Sequence, residues 1–263
     1  TNVGFTLGDS DPTNKLIRVV EGDALFVTYH DVLPPVDTTA FSRVDGLPPV
    51  TTLVPSWPFR MENGTNIASS VCSYSLVATD ASGVSQIEYS LDSGPVIEFI
   101  NPFLLSSAGP HTVAFRSQDR ADHWETWRVE KFIVEDDYDH DGMLDAWEIL
   151  QFGDLTVADA TSDRDGDRAR DVEEFVAGTD PNNAQDYFHI QDWFFAETVG
   201  GNLVLRWNSV TGRVYTVNTA TNLAESSWSN VLQRMGDGTA QSFTNPLPDV
   251  PHRFFRLRVE MLR

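Results

Sequence analysis

The chain has 263 residues, and a hydrophobic content of 41% is enough for packed cores and unlike a disordered tail. Its 39 acidic and 18 basic residues leave a net charge of −21. That balance argues against a nucleic-acid partner and against an anionic membrane surface, since both require Lys and Arg. A single cysteine, Cys72, rules out an internal disulfide, and no apolar run approaches the roughly 18 residues needed for membrane insertion.

The chain opens at Thr1 without a start methionine, so it reads as a mature product or an excised part of something longer. Residues 1–33 hold short strand-like runs, Lys15-Leu-Ile-Arg-Val-Val20 and Ala24-Leu-Phe-Val-Thr-Tyr29, joined by a turn at Glu21-Gly-Asp23. So few strands do not make an independent sandwich, and we expect them to complete a module lying upstream. Residues 34–49 carry the pairs Pro34-Pro35 and Pro48-Pro49 and are expected to be a stiff linker.

Residues 50–135 alternate strand-like runs with turns at intervals of about ten residues. Ile87, Tyr89 and Leu91 alternate with Glu88 and Ser90 and end at Asp92-Ser-Gly94, a hairpin signal. Val113 and Phe115 keep the period of two, as do Trp127, Val129, Lys131 and Ile133 opposite Arg128, Glu130 and Phe132. Cys72 lies in one of these runs and is expected to be buried and inert. The phrases Ala78-Thr-Asp-Ala-Ser-Gly-Val84, Ile87-Glu-Tyr-Ser-Leu-Asp92 and Gly109-Pro-His-Thr-Val-Ala-Phe-Arg-Ser-Gln-Asp119 resemble bacterial immunoglobulin-like modules of secreted glycosidases, sialidases and surface proteins. That resemblance implies a scaffold and no chemistry.

Residues 136–186 hold most of the charge. From Glu135 to Asp186 there are 17 acidic residues against three arginines, a net of −14 of the chain's −21. Asp137-Tyr-Asp-His-Asp-Gly-Met-Leu-Asp-Ala-Trp-Glu148 fits a twelve-residue calcium loop at each ligand position. Asp137, Asp139 and Asp141 fall at positions 1, 3 and 5, where alternate carboxylates converge on one hard cation. Gly142 supplies the sharp turn, Met143 a backbone carbonyl, Asp145 position 9, and Glu148 a bidentate carboxylate at position 12.

A second copy starts 26 residues later, with Asp163, Asp165 and Asp167 at 1, 3 and 5, Ala169 at 7, Asp171 at 9 and Glu174 at 12. Arg168 stands where glycine is usual, and forcing it to positive φ costs on the order of 1 kcal/mol, so this site is expected to be the weaker. Two Ca2+ ions are therefore the expected cofactors. Each loop leads into a short helix, with Trp147, Ile149, Leu150 and Phe152 as one apolar face and Val172, Phe175 and Val176 as the other. Gly153 and Gly178 are the helix stops. A strand-like run, not a helix, precedes the first loop. The pair, with its tail Glu173-Glu-Phe-Val-Ala-Gly-Thr-Asp-Pro181, therefore resembles the loop-helix repeats of dockerins and thrombospondin type 3 repeats. For dockerins, the resemblance implies a protein partner bound through the helices.

Residues 187–263 return to a period of two: Leu203, Leu205 and Trp207, then Tyr215 and Val217, then Phe255, Leu257, Val259 and Met261 opposite Arg256, Arg258 and Glu260. Leu205-Arg-Trp207, Gly212-Arg-Val-Tyr-Thr-Val217 and the closing Phe255-Arg-Leu-Arg-Val259 are similar to C-terminal fibronectin-like modules of large secreted bacterial proteins.

The expected fold is mainly β: Ig-like and fibronectin-like β-sandwich modules joined by a short α-helical, EF-hand-like calcium segment. No HExxH, G-x-S-x-G, P-loop or S-x-x-K occurs, and the six histidines are scattered singly, so no catalytic residue is assigned. The expected function is a non-catalytic, calcium-stabilised spacer of a secreted or cell-surface protein, with the upstream domains of the same polypeptide as its partners. A polysaccharide-binding appendage, using the seven tryptophans, and a docking module for a surface protein are the alternatives.

Overall fold

The computed structural model describes residues 3–6, 24–30, 37–43, 45–196, 202–223, 228–246 and 253–262. The chain divides into two compact units, Thr1–Tyr138 and Asp139–Arg263, and is mainly β with two short helices.

The first unit begins with β1 (Val3–Thr6), β2 (Ala24–His30) and β3 (Asp37–Arg43), which form one sheet in the order β1-β2-β3. The expected strand at 15–20 and the turn at 21–23 lie outside the described residues. The linker expected at 34–49 is corrected by β3, which pairs antiparallel with β2 from Asp37 to Arg43. Prolines flank that run without interrupting it, so none of them removes a donor from the ladder.

The unit continues with β4 (Val50–Pro55), β5 (Phe59–Glu62), β6 (Thr65–Ser69), β7 (Ser73–Thr79), β8 (Val84–Leu91), β9 (Ile97–Glu98), β10 (Phe103–Leu104), β11 (Gly109–Asp119) and β12 (Arg128–Glu135). They form a three-stranded sheet, β10-β7-β4, and a six-stranded sheet, β5-β6-β12-β11-β8-β9. Leu53, Tyr74 and Leu76 of the first and Tyr89, Val113, Phe115, Phe132 and Val134 of the second share one core, giving a sandwich. Tyr89 stacks on Phe103 at 4.3 Å, and Tyr74 meets Phe132 edge-on at 5.0 Å. Asp92 and Ser93 both take positive φ and Gly94 N–H bonds the Leu91 carbonyl, closing the expected hairpin between β8 and β9. Cys72 is fully buried, and burial pushes its thiol pKa up, as befits an inert core residue. The alternation along β12 has its faces exchanged relative to the apolar reading of the sequence. Phe132 and Val134 point into the core, while Val129 and Ile133 are exposed.

The second unit holds α1 (Asp145–Phe152), α2 (Asp171–Ala177), β13 (Asp192–Ala196), β14 (Asn202–Asn208), β15 (Arg213–Ala220), β16 (Ser229–Met235), β17 (Ala240–Pro246) and β18 (Phe254–Met261). The strands form the sheets β13-β14-β17 and β16-β15-β18 around Leu203, Leu205, Trp207, Tyr215, Val217 and Phe243. Alternation in β18 follows the sequence pattern, with Arg256, Arg258 and Glu260 exposed. The helices share a smaller core of Met143, Ala158 and Phe175, lined by Trp147, Phe152, Val172, Val176 and Met261. Leu150 stands 77% exposed, so the expected apolar face of α1 narrows to Trp147 and Phe152. An eight-residue helix offers only one stripe, and Leu150 falls beside it.

Candidate metal centre

Each acidic loop feeds directly into a helix. Position 9 of the loop is the first helical residue in both cases, Asp145 in α1 and Asp171 in α2. Three residues on, Glu148 and Glu174 lie on the same helix face, because residues i and i+3 are neighbours on an α-helix. Carboxylates in the first turn are also favoured by the backbone dipoles there. Gly153 and Gly178 close the helices in the left-handed region, at φ 82° and 79°.

In the first loop, Asp137, Asp139 and Asp141 bring one carboxylate oxygen each within 4.8 Å of one another, and so do Asp139, Asp145 and Glu148. Asp145 and Glu148 are fully buried. Gly142 takes φ 98°, the sharp turn expected of it, and Met143 N–H donates to Asp141 Oδ1 at 2.8 Å. The start of the loop is held from β5, where the Arg60 guanidinium donates to the Tyr138 carbonyl at 2.9 Å and to Glu135 Oε2 at 2.8 Å. The same group lies 4.3 Å from the centre of the Tyr138 ring.

The second loop shows how its shape is set. Asp163 accepts the N–H groups of Gly166 and Arg168 at 2.8 and 3.0 Å. Asp165 Oδ1 accepts from Asp167 at 3.1 Å, Asp167 Oδ1 from Ala169 at 2.7 Å, and Asp171 Oδ1 from Arg164 at 3.0 Å. Each of these three residues thus spends one oxygen on the backbone, and the other, Oδ2, is buried without a hydrogen-bond partner. Glu174 repeats the pattern: Oε1 accepts the Thr179 hydroxyl at 3.1 Å, while Oε2 is buried and unpartnered. Arg168 holds φ 84°, the conformation the sequence marks as strained for a non-glycine residue.

The electrostatics follow. Asp163, Asp165 and Asp167 each offer an oxygen within 4.8 Å of the others, and two carboxylates that far apart repel by about 3 kcal/mol at an effective dielectric of 20. Burial, with repulsion from Asp163 and Asp165, pushes the Asp171 carboxyl up. Burial, with Asp165, Asp167 and Asp171 nearby, pushes Glu174 up to about 7. The buried oxygens of Asp165, Asp167, Asp171 and Glu174 that lack donors are what a hard divalent cation would neutralise, with oxygen distances of about 2.4 Å for calcium, although in this loop only Asp163, Asp165 and Asp167 are drawn within 4.8 Å of one another. The donor set fits such an ion: carboxylate oxygens, with no thiolate or imidazole.

Several supporting contacts had no signal in the spacing. Arg60 is one, and Arg164 is another. Its Nε donates to Asn182 Oδ1 at 3.0 Å, and its guanidinium lies 5.4 Å from the centre of the Phe152 ring, tying the second loop to α1 and to residue 182. A further acidic grouping, Asp45, Asp119 and His123, is explained by its own bonds. Buried Asp119 accepts the N–H groups of Ala121 and His123, and His123 Nδ1 lies 2.8 Å from Asp119 Oδ2, bracing a turn.

No family model matches the sequence, and no curated protein matches it. Among solved structures, the D00-D0 domain of intimin is similar over 81% of this chain and the whole of that one, at 8% identity and a TM-score of 0.19. A likeness at that level carries no argument. Among the described residues, no helix is long and apolar enough to cross a membrane.

Proposed function

We propose that this chain is a non-catalytic, calcium-stabilised structural region of a secreted or cell-surface protein, in which two Ca2+-loaded loops hold the segment between β-sandwich modules in a fixed form. The observation that carries this reading is the set of buried, unpartnered oxygens on Asp165, Asp167, Asp171 and Glu174. A carboxylate with one oxygen sunk away from water and left without a donor carries a desolvation cost of about 1–3 kcal/mol, which a bound divalent cation offsets. With free calcium at about twenty times the dissociation constant, binding to the folded state alone supplies about 1.8 kcal/mol per site. In a chain without a disulfide, that is a substantial share of marginal stability. Weak sites of this kind fill at extracellular calcium levels, which supports a location outside the cytosol.

Two other readings have less behind them. Docking through the helices needs a free apolar face: Phe175 of α2 is buried among Met143, Trp147 and Met261, which leaves Ile149 and Leu150 of α1 as the exposed apolar side chains. Stacking on a polysaccharide favours coplanar exposed rings. The exposed pair Trp193 and Phe195 meets at 83°, and Arg116 covers one face each of Trp124 and Trp127 at 4.1 and 4.6 Å.

The test is thermal unfolding of the chain with calcium and with a chelator. Calcium should raise the melting temperature by several degrees, and the Glu148→Gln and Glu174→Gln double variant should remove most of that rise. An unchanged melting temperature on chelation would falsify the stabilising role.

A further inference from the structure

The second loop does not end at its own helix. α2 carries Glu174, the position-12 ligand, and the very next carbonyl, that of Phe175, accepts a hydrogen bond from Arg213 Nη2 at 2.8 Å. Arg213 is the first residue of β15, the central strand of its sheet, which pairs with β18 through Ala220 and with β16. The end of α2 is pressed on the same region: a Cβ added to Gly178 would lie 3.0 Å from Val210 Cγ1 and 3.5 Å from Arg213 Nη2. Met261 at the end of β18 completes the core under Phe175. Arg213 Nε is buried and unpartnered. The acceptor of its Nη2 lies at the C-terminal end of α2, where the backbone dipoles favour a cation.

We propose that Arg213 is a coupling residue that makes calcium occupancy of the second loop and the folding of the C-terminal sandwich one thermodynamic event. The inference rests on the calcium reading above and adds to it a route and a direction. Glu174 is held where α2 holds it, and α2 is seated on its apolar core and on a guanidinium that β15 holds in place. Opening of β15 then releases the helix, the ligand and the ion together. By linkage the ion must protect β15 in return, by the same factor that the intact sandwich raises its affinity.

Amide hydrogen exchange at Tyr215 and Val217 tests this, alongside a count of bound calcium by dialysis. In the unaltered chain, calcium at about twenty times the dissociation constant should slow exchange at these amides about twentyfold, the full linkage factor. Arg213→Met should still bind calcium at both loops but cut that protection to less than about twofold, while Arg213→Lys, which can still donate to the Phe175 carbonyl, should recover part of it. Should the Met variant fail to fold, Asp165→Asn with Asp167→Asn serves instead: with the second ion lost, calcium should slow β15 exchange several-fold less than in the unaltered chain. The coupling is overturned if the unaltered chain binds two ions without slowing β15 exchange, if Arg213→Met keeps the full protection, or if the double variant keeps it. A chain that binds no calcium at all overturns the underlying calcium reading, a result the dialysis count separates from the others.

Discussion

Replacing Glu174 by Gln should change stability in opposite directions with and without calcium. Without the ion, Glu174 is a buried carboxylate, 1% exposed, whose pKa is pushed up to about 7 by burial and by Asp165, Asp167 and Asp171, from an ordinary value near 4.5. A pKa raised on folding means that its contribution is fully present below about 4.5 and is lost as pH rises through about 7. Metal-free protein should therefore weaken across that window, by up to about 3 kcal/mol for this one group at 1.36 kcal/mol per unit. Glutamine keeps the bond to Thr179 and removes the charge, so at pH 8 in chelator the variant should be the more stable by part of that amount. In calcium the sign reverses. If losing the bidentate ligand weakens the site a hundredfold, an ion that supplied about 1.8 kcal/mol supplies about 0.1. Urea unfolding at pH 5.5 and 8.0, in calcium and in chelator, reads both effects. A variant that is destabilised equally in all four conditions would show that Glu174 acts by packing or by its bond to Thr179 and not through its charge or an ion.

Arg60→Met should weaken calcium binding at the first loop several-fold while leaving the second loop unchanged, since it removes the grip on Glu135 and on the Tyr138 carbonyl. Calorimetric titration resolves the two sites. Gly178→Ala should cost about 1–2 kcal/mol, because φ is 79° and the new methyl meets Val210 at 3.0 Å, and chelation should not remove that cost; denaturant unfolding with and without calcium checks it. Phe175→Ala should destabilise the second unit by about 3–5 kcal/mol, the usual loss for a buried phenylalanine, and should lower the urea midpoint of that unit in calcium and in chelator alike.

What the sequence revealed and what it hid divide along physical lines. The groupings of Asp137, Asp139 and Asp141 and of Asp163, Asp165 and Asp167 were legible because alternate residues of one tight turn are near neighbours in space, so their offsets are set by local geometry. Gly153 and Gly178 were legible for the same reason, as were the alternating Leu203, Leu205 and Trp207. The strand from Asp37 to Arg43 was hidden because proline pairs at either end draw attention from the proline-free run between them. The facing of β12 was misread because Val129 and Ile133 are as apolar as Phe132 and Val134, and alternation alone does not say which set points inward. Leu150 was assigned to a helix face too narrow to hold it. Arg60 and Arg213 were beyond reach altogether. Each acts on a loop or helix through contacts 38 to 78 residues away along the chain, with no spacing rule to announce them.

Equilibrium dialysis of the full chain against radioactive calcium counts the ions the two loops hold. Two ions should bind per chain at millimolar free calcium, and Asp163→Asn with Asp165→Asn should leave one. A chain that retains no calcium under those conditions, or a variant that retains as much as the original, would mean that these loops are not calcium sites.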